Sequence, residues 1–322
     1  MAVAAGRSSN ALGIIYALGG TAAFTVNDVA VKFLSDGYAL HQLVLMRTLI
    51  AMTFLLAVMV PMAGGLAVLR TRRPFAHMLR GLCVVVANMF FFLALATMPL
   101  ADATAIFFVS PLMITVLSVV FLGEKVGPRR WMAVFLGLVG AVVMMRPGTD
   151  AFQLAALLPV IAAAGYAVLN ILARVIGGTE RAVTMAFYIQ LTFLFVSLLM
   201  GLAVGDGRFE QPEDATLAFL LREWVWPAVP DLPVLFVLGI ASALGGFMIS
   251  QAYRLAEPAV AAPFEYTSMP MAIFFGVLIF AEWPDLVAWA GICLIVGSGL
   301  YLFWREAEQE RQLATKRPQN MR

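Results

Sequence analysis

Charge is the first thing this sequence lacks. Only 12% of its 322 residues are charged, against about a quarter in soluble globular domains. Histidine is almost missing: His41 and His77 are the whole supply, too few for a His-ligated metal centre. Cysteine is as scarce. Cys83 and Cys293 sit in separate apolar runs, which excludes a disulfide framework and offers no metal-ligand spacing. No metal or cofactor is therefore expected. There is no HExxH, no GxSxG and no Ser/His/Asp set, so nucleophilic and zinc-dependent hydrolysis have no machinery. No strand precedes any glycine cluster, and the nucleotide fingerprints fail their context test. An intramembrane enzyme acting on lipids or isoprenoids would have to work with Asp28 and Glu265 alone.

What is present is hydrocarbon. Apolar residues make up 62% of the chain and come in runs of about 20, the length that crosses roughly 30 Å of bilayer as helix. The expected fold is an all-α membrane protein of ten spans, near 11–34, 42–66, 78–97, 101–122, 130–146, 153–175, 183–204, 233–253, 258–281 and 286–304. Arg7 precedes a segment as long as a span, which favours a retained first helix over a cleaved signal peptide. With the N-terminus inside, sixteen Lys and Arg fall on inner segments and the tail, while Arg146, Arg208 and Arg222 alone fall outside. That bias orients both termini to the cytoplasm of a bacterial inner membrane. It also excludes nucleic acid as a partner, because the basic residues line the membrane boundary.

Two stretches pair at a fixed offset. ATMPLADATAIFFVSP, residues 96–111, matches LAEPAVAAPFEYTSMP, residues 255–270, through Pro99 and Pro258, Ala103 and Ala262, Pro111 and Pro270. Glu124 then answers Glu282, and Gly140 answers Gly297. The chain reads as two related halves, 1–150 and 151–322. Five spans per half is an odd number, so the second repeat enters the membrane inverted. Inverted repeats with midplane sites are common in secondary transporters, and matched helix breakers such as Pro111 and Pro270 point to the site. A single proline would read as a packing kink; a matched pair favours a cavity lining.

Charges inside spans are costly and each asks for a reason. Span one carries Asn27, Asp28 and Lys32. The spacing of Asp28 and Lys32 predicts a local i,i+4 pair with the lysine reaching toward the outer surface. Arg47 on span two is too deep for comfortable solvation, and is either an anion site or a partner for Asp28. Glu265, followed by Tyr266 just before Pro270, is either a functional acid or a buried structural one. Asn88, Tyr166, Asn170, Tyr188, Gln190 and Gln251 recur on other spans. Singly each reads as a helix-to-helix hydrogen bond; together they suffice to line a polar cavity able to stack a ring. Phe90, Phe91, Phe107, Phe108 and Phe264 could supply its aromatic walls or simply pack.

Three features stand outside that pattern. Residues 205–232 are long and acidic, with Leu217, Leu220, Leu221 and Trp224 spaced for a short amphipathic helix on the membrane surface; decoration is the favoured reading over a lid. The charged tail after span ten is expected to fray. Glycines at 137, 140, 291, 297 and 299 suit close helix packing, or a homodimer face.

The wordings MPLADATAIFFVSPLM, LGEKVGPRRW, MRPG at 145–148, AEPAVAAPFEYTSMP and AEWPDLVAWAGICLIVGSGLYL resemble the drug/metabolite transporter superfamily, in its ten-span EamA-type branch. They are similar to a bacterial subgroup that includes S-adenosylmethionine and riboflavin importers. The resemblance spans nearly the whole chain. It implies ten helices in two inverted repeats around a central substrate cavity, and a secondary transporter of a small polar, ring-containing metabolite of vitamin or nucleoside-like type. Protons are the candidate coupling ion, and membrane lipid surrounds the protein. Related proteins export amino acids or drugs, so direction stays open. The 205–232 extension is longer than the linker the resemblance implies.

Overall fold

The computed structural model describes residues 2–71, 73–123, 127–147, 154–176, 182–210, 213–255 and 264–316. Glu124, Gly148, Pro258 and Ala262 lie outside the described residues. Most of those described are helical, with no strand among them. That follows from the solvent: in hydrocarbon every backbone N–H and C=O must be satisfied within the segment, and the α-helix does so.

The helices are α1 (Ala2–Leu34), α2 (Leu40–Phe54), α3 (Pro74–Thr97), α4 (Leu100–Phe107), α5 (Ser110–Leu122), α6 (Pro128–Met145), α7 (Leu157–Ile176), α8 (Ala182–Val204), α9 (Ala215–Leu221), α10 (Leu232–Leu255), α11 (Ser268–Phe280) and α12 (Leu286–Lys316). Past Phe54, α2 loosens into a π turn over Leu55–Met59, next to Pro61, and ends at Met62. Seven segments among the described residues are long and apolar enough to cross a membrane, and Trp131–Met145, Ser268–Phe280 and Leu286–Leu302 are shorter apolar helices. This is a multi-pass membrane protein.

Two expectations change here. The tail does not fray at the end of the last span, because α12 continues to Lys316. The short helix expected on the membrane surface within 205–232 packs into the bundle instead. Asp214 caps α9 by accepting from the Leu217 amide at 3.0 Å. The buried face of α9 is Ala218 and Phe219, packed on α3 and α2. The chain after it is tied to the α1–α2 turn. Arg222 donates to the Ser35 carbonyl at 2.7 Å, Gln42 and Val225 exchange two hydrogen bonds, and the Tyr38 hydroxyl donates to Asp231 at 2.6 Å while accepting from the Ala228 amide at 2.9 Å. Burial, and then the bond to Asp231, hold the Tyr38 phenol above its usual range. The segment is a folded cap over the outward-expected ends of α1, α2 and α3.

The heaviest packing joins α1 to α10, α3 to α7, α2 to both α8 and α10, and α6 to α12. The last pair absorbs much of the glycine stripe. A Cβ on Gly140 would meet Leu294 and Ile295 at 2.8 and 2.9 Å, and one on Gly291 would meet Met144 at 2.1 Å. These two glycines serve close approach inside one chain, where the sequence offered a dimer face as the other reading. Gly140→Leu should therefore destabilise the fold by about 1–3 kcal/mol, the usual cost of overpacking. Thermal unfolding in detergent measures it, and an unchanged midpoint would refute the contact.

Candidate functional site

Proline dictates the central feature. A proline at position i cannot donate to the carbonyl four residues back, and its ring collides with that carbonyl. Pro111 and Pro270 therefore cannot continue helices that hold Phe107 and Tyr266. The chain breaks there. Between α4 and α5 it makes a tight turn at Phe108–Val109, with Val109 donating to the Ile106 carbonyl at 3.1 Å and Leu112 to Val109 at 3.0 Å. Before α11 it turns at Tyr266–Thr267, with Thr267 donating to Phe264 at 3.1 Å and Met269 to Tyr266 at 3.0 Å. Each proline thus sits in the first turn of a new half-helix, where its missing N–H does no harm.

The two breaks meet. The Phe108 ring stacks on Tyr266 with centroids 4.5 Å apart and planes inclined by 20°. Tyr266 lies over Gly299 of α12, where a Cβ would meet its hydroxyl at 1.9 Å. Beside it, the half-buried Glu265 acts electrostatically on the phenols of both Tyr166 and Tyr266. Tyr166 meets Phe107 at 5.5 Å and Phe107 meets Phe91 at 5.1 Å, while Asn170 donates to the Tyr166 carbonyl at 2.8 Å. One carboxylate among aromatic rings can stack a planar group and meet a cation or a proton.

A second group adjoins it. Arg47 is buried between the rings of Phe92 and Phe193, at 5.2 and 4.8 Å. It donates to Asn27 at 3.4 Å, and Asn27 donates to Asp28 at 3.0 Å. Arg47 and Asp28 interact electrostatically, in keeping with the partner reading of Arg47. The rings of Phe91 and Phe92 lie 6.3 Å apart and link the two groups.

The other sequence candidates scatter. Asn88 donates to its own helix at the Val84 carbonyl, 3.2 Å, and lines a crevice with His41 and Phe193. Tyr188 is at the opposite end, donating to the Leu69 carbonyl at 3.2 Å and stacked on His77 at 4.8 Å, so it braces the α2–α3 connection. Gln190 and Gln251 are half-buried on α8 and α10. Phe90 packs against the main apolar core and Phe264 against Ala17 and Ala252.

The structure also corrects Lys32. Its ammonium pairs with Glu282 at 2.9 Å, not with Asp28 one turn away. It donates as well to the Leu95 and Met98 carbonyls at 3.0 and 2.8 Å, and Glu282 accepts from the Leu100 amide at 2.9 Å. Nearby, Arg146 grips both oxygens of Asp285 at 2.5 and 2.6 Å. This hydrogen bond, with that from the Ala288 amide, holds the Asp285 carboxyl below the usual carboxylate range. Neither pair, each joining the two halves of the chain, was visible in local spacing. The matched positions of Glu124 and Glu282 were the available signal.

The profile of the EamA-like transporter family matches residues 11–146 and again 153–304. The chain belongs to the EamA-like transporter family. Relatives of this EamA-like chain are transporters, not enzymes. A riboflavin transporter of Rhizobium johnstonii is 31% identical over 250 residues, 78% of this chain and 77% of its own length. An S-adenosylmethionine uptake transporter of Rickettsia prowazekii is 27% identical over 282 residues, 88% of this chain and 89% of its own. The pseudopaline exporter of Pseudomonas aeruginosa is 26% identical over 285 residues, 88% and 93%. One crystal structure, 20% identical, superposes with a TM-score of 0.61 over 92% of this chain and 98% of its own, which shows a shared fold alone.

Proposed function

We propose that this EamA-like protein is a secondary transporter of the bacterial inner membrane. It takes up a small polar, ring-bearing metabolite by alternating access, through ten spans in two inverted five-helix repeats, 1–150 and 151–322, with both termini cytoplasmic. The observation that carries this reading is the meeting of two proline-broken helices at Phe108 and Tyr266, 4.5 Å apart, beside Glu265. Broken helices are tolerated in a bilayer where they line a cavity.

The packing pattern supports the inverted repeat. Span one against span eight (α1 and α10) has its counterpart in span six against span three (α7 and α3). Spans two and seven, five and ten, and four and nine each pair with their own counterpart. A two-fold operation exchanging the halves maps this list onto itself. Seven apolar spans and three shorter apolar helices are also compatible with ten crossings. The substrate class rests on the site and the relatives together: aromatic walls suit a planar ring, and riboflavin and S-adenosylmethionine both carry one. Glu265 supplies either a proton relay or a contact to a cationic group.

The second reading is export by the same fold, favoured by the likeness to the pseudopaline exporter. A thermal-shift screen of the purified protein against a metabolite library, followed by flux of the hits in proteoliposomes, tests both. A ligand at a hundredfold excess over Kd stabilises by about 2.7 kcal/mol, so a substrate should stand out. Uptake driven by an inward gradient supports import, and efflux alone supports export. A library without a ring-bearing hit would defeat the substrate class.

A further inference from the structure

We propose that Lys32 and Glu282 form a latch that closes the outward-expected mouth of the pathway, and that their separation opens it. The inference rests on the transport reading, since a gate has meaning only if something passes. The pair joins the two halves of the chain: Lys32 ends α1, and Glu282 follows α11. It is also more than an ion pair. Both charges are received by one corner, the Met98–Pro99 turn between α3 and α4.

The C-terminus of α3 presents unsatisfied carbonyls and the negative end of the helix dipole, and the N-terminus of α4 presents a free N–H and the positive end. Lys32 takes the first, through the Leu95 and Met98 carbonyls. Glu282 takes the second, through the Leu100 amide. The Phe280 ring closes over the ammonium at 5.2 Å. Each charge thus matches the helix end it touches, and the reverse assignment would oppose both.

The side chains of Lys32 and Glu282 are only 11% and 23% exposed. Parting them without water would strand two charges, which is strongly unfavourable. They separate only if the mouth opens to solvent, so the pair has two states, dry and joined or wet and parted. The latch pins the head of α4, and α4 leads directly into Phe107 and Phe108 at the central break. Releasing the latch therefore frees the half-helix that bears on Tyr266. Arg146 and Asp285 add a second, more exposed tie between the same halves.

The test reads accessibility and needs no substrate, so its failure is distinct from failure of the transport reading. Cys83 and Cys293 are replaced by serine, and Ala105, buried in α4 beneath the latch, becomes the single cysteine. A membrane-impermeant maleimide is applied to whole cells from the face that carries Asp214. We expect Lys32→Met and Glu282→Gln each to speed labelling by about tenfold or more, as the closed population falls. The charge swap K32E/E282K should stay fast, because an acid cannot donate to the α3 carbonyls and a lysine cannot accept from the Leu100 amide. Glu282→Gln keeps an acceptor for that amide, and decides the matter alone if Lys32→Met fails to fold by gel filtration. Wild-type labelling rates in folded variants would make the pair a static staple and overturn the proposal. Restoration of slow labelling by the swap would also overturn it, leaving an ordinary ion pair.

Discussion

Glu265→Gln should abolish concentrative, pH-driven transport while leaving substrate binding and counterflow exchange in place. Gln keeps the shape and a hydrogen-bonding oxygen of the side chain and removes its charge and its ability to titrate. An acid facing the interior of a helix bundle, within reach of each side in turn, is the kind of group that loads a proton on one face and releases it on the other. Glu265 is half-buried just before the Tyr266–Thr267 turn and acts on the phenols of Tyr166 in α7 and of Tyr266 at that turn. A fall in accumulation of at least about tenfold, with counterflow within a factor of about two of wild type, is expected if it carries the coupling proton. Accumulation with an unchanged pH dependence would make Glu265 structural. Loss of binding altogether would make it a direct ligand and pass coupling to Asp28, which bonds to Asn27 and faces Arg47.

The helices and the central break were legible in the sequence for a simple reason. Both are written locally: apolar runs set the spans, and prolines at 111 and 270 cannot continue a helix wherever the rest of the chain goes. Glu265, Tyr266 and Phe107 could be named because they flank those prolines. Their alliance with Tyr166 could not be fixed, since spacing along one helix says nothing of which face of α7 it meets. Lys32 shows the same limit from the other side. Asp28 one turn away is the obvious partner by spacing, yet two carbonyls at the end of α3 and a carboxylate 250 residues on in the chain offer better geometry. Tyr188 has the composition of a site residue but stands with His77 at the far end. The cap misled because its leucines fit a lipid surface. Its anchors, Arg222 and Asp231, bond to Ser35 and Tyr38 on a turn that only the fold brings near.

Removing both prolines should trade transport for stability. In P111A/P270A each new residue regains an N–H able to reach the carbonyl four positions back, at Phe107 and Tyr266. A healed helix gains roughly 1 kcal/mol per restored hydrogen bond. The breaks now fall at Phe108–Val109 and Tyr266–Thr267. Continuous helices would turn the residues before each break about the helix axis relative to those after it. The stack of Phe108 on Tyr266 at 4.5 Å depends on both turns being present, as does the seating of Tyr266 over Gly299. The double variant should therefore melt higher in detergent and transport at least about tenfold more slowly, since a displacement of an ångström in a positioned group can cost a hundredfold. Each single variant should fall between, because one break persists in each. A double variant that transports at the wild-type rate would reduce the prolines to packing features. One that melts lower would mean the surrounding helices enforce the breaks without them, and the breaks would then be a property of the bundle, not of its prolines.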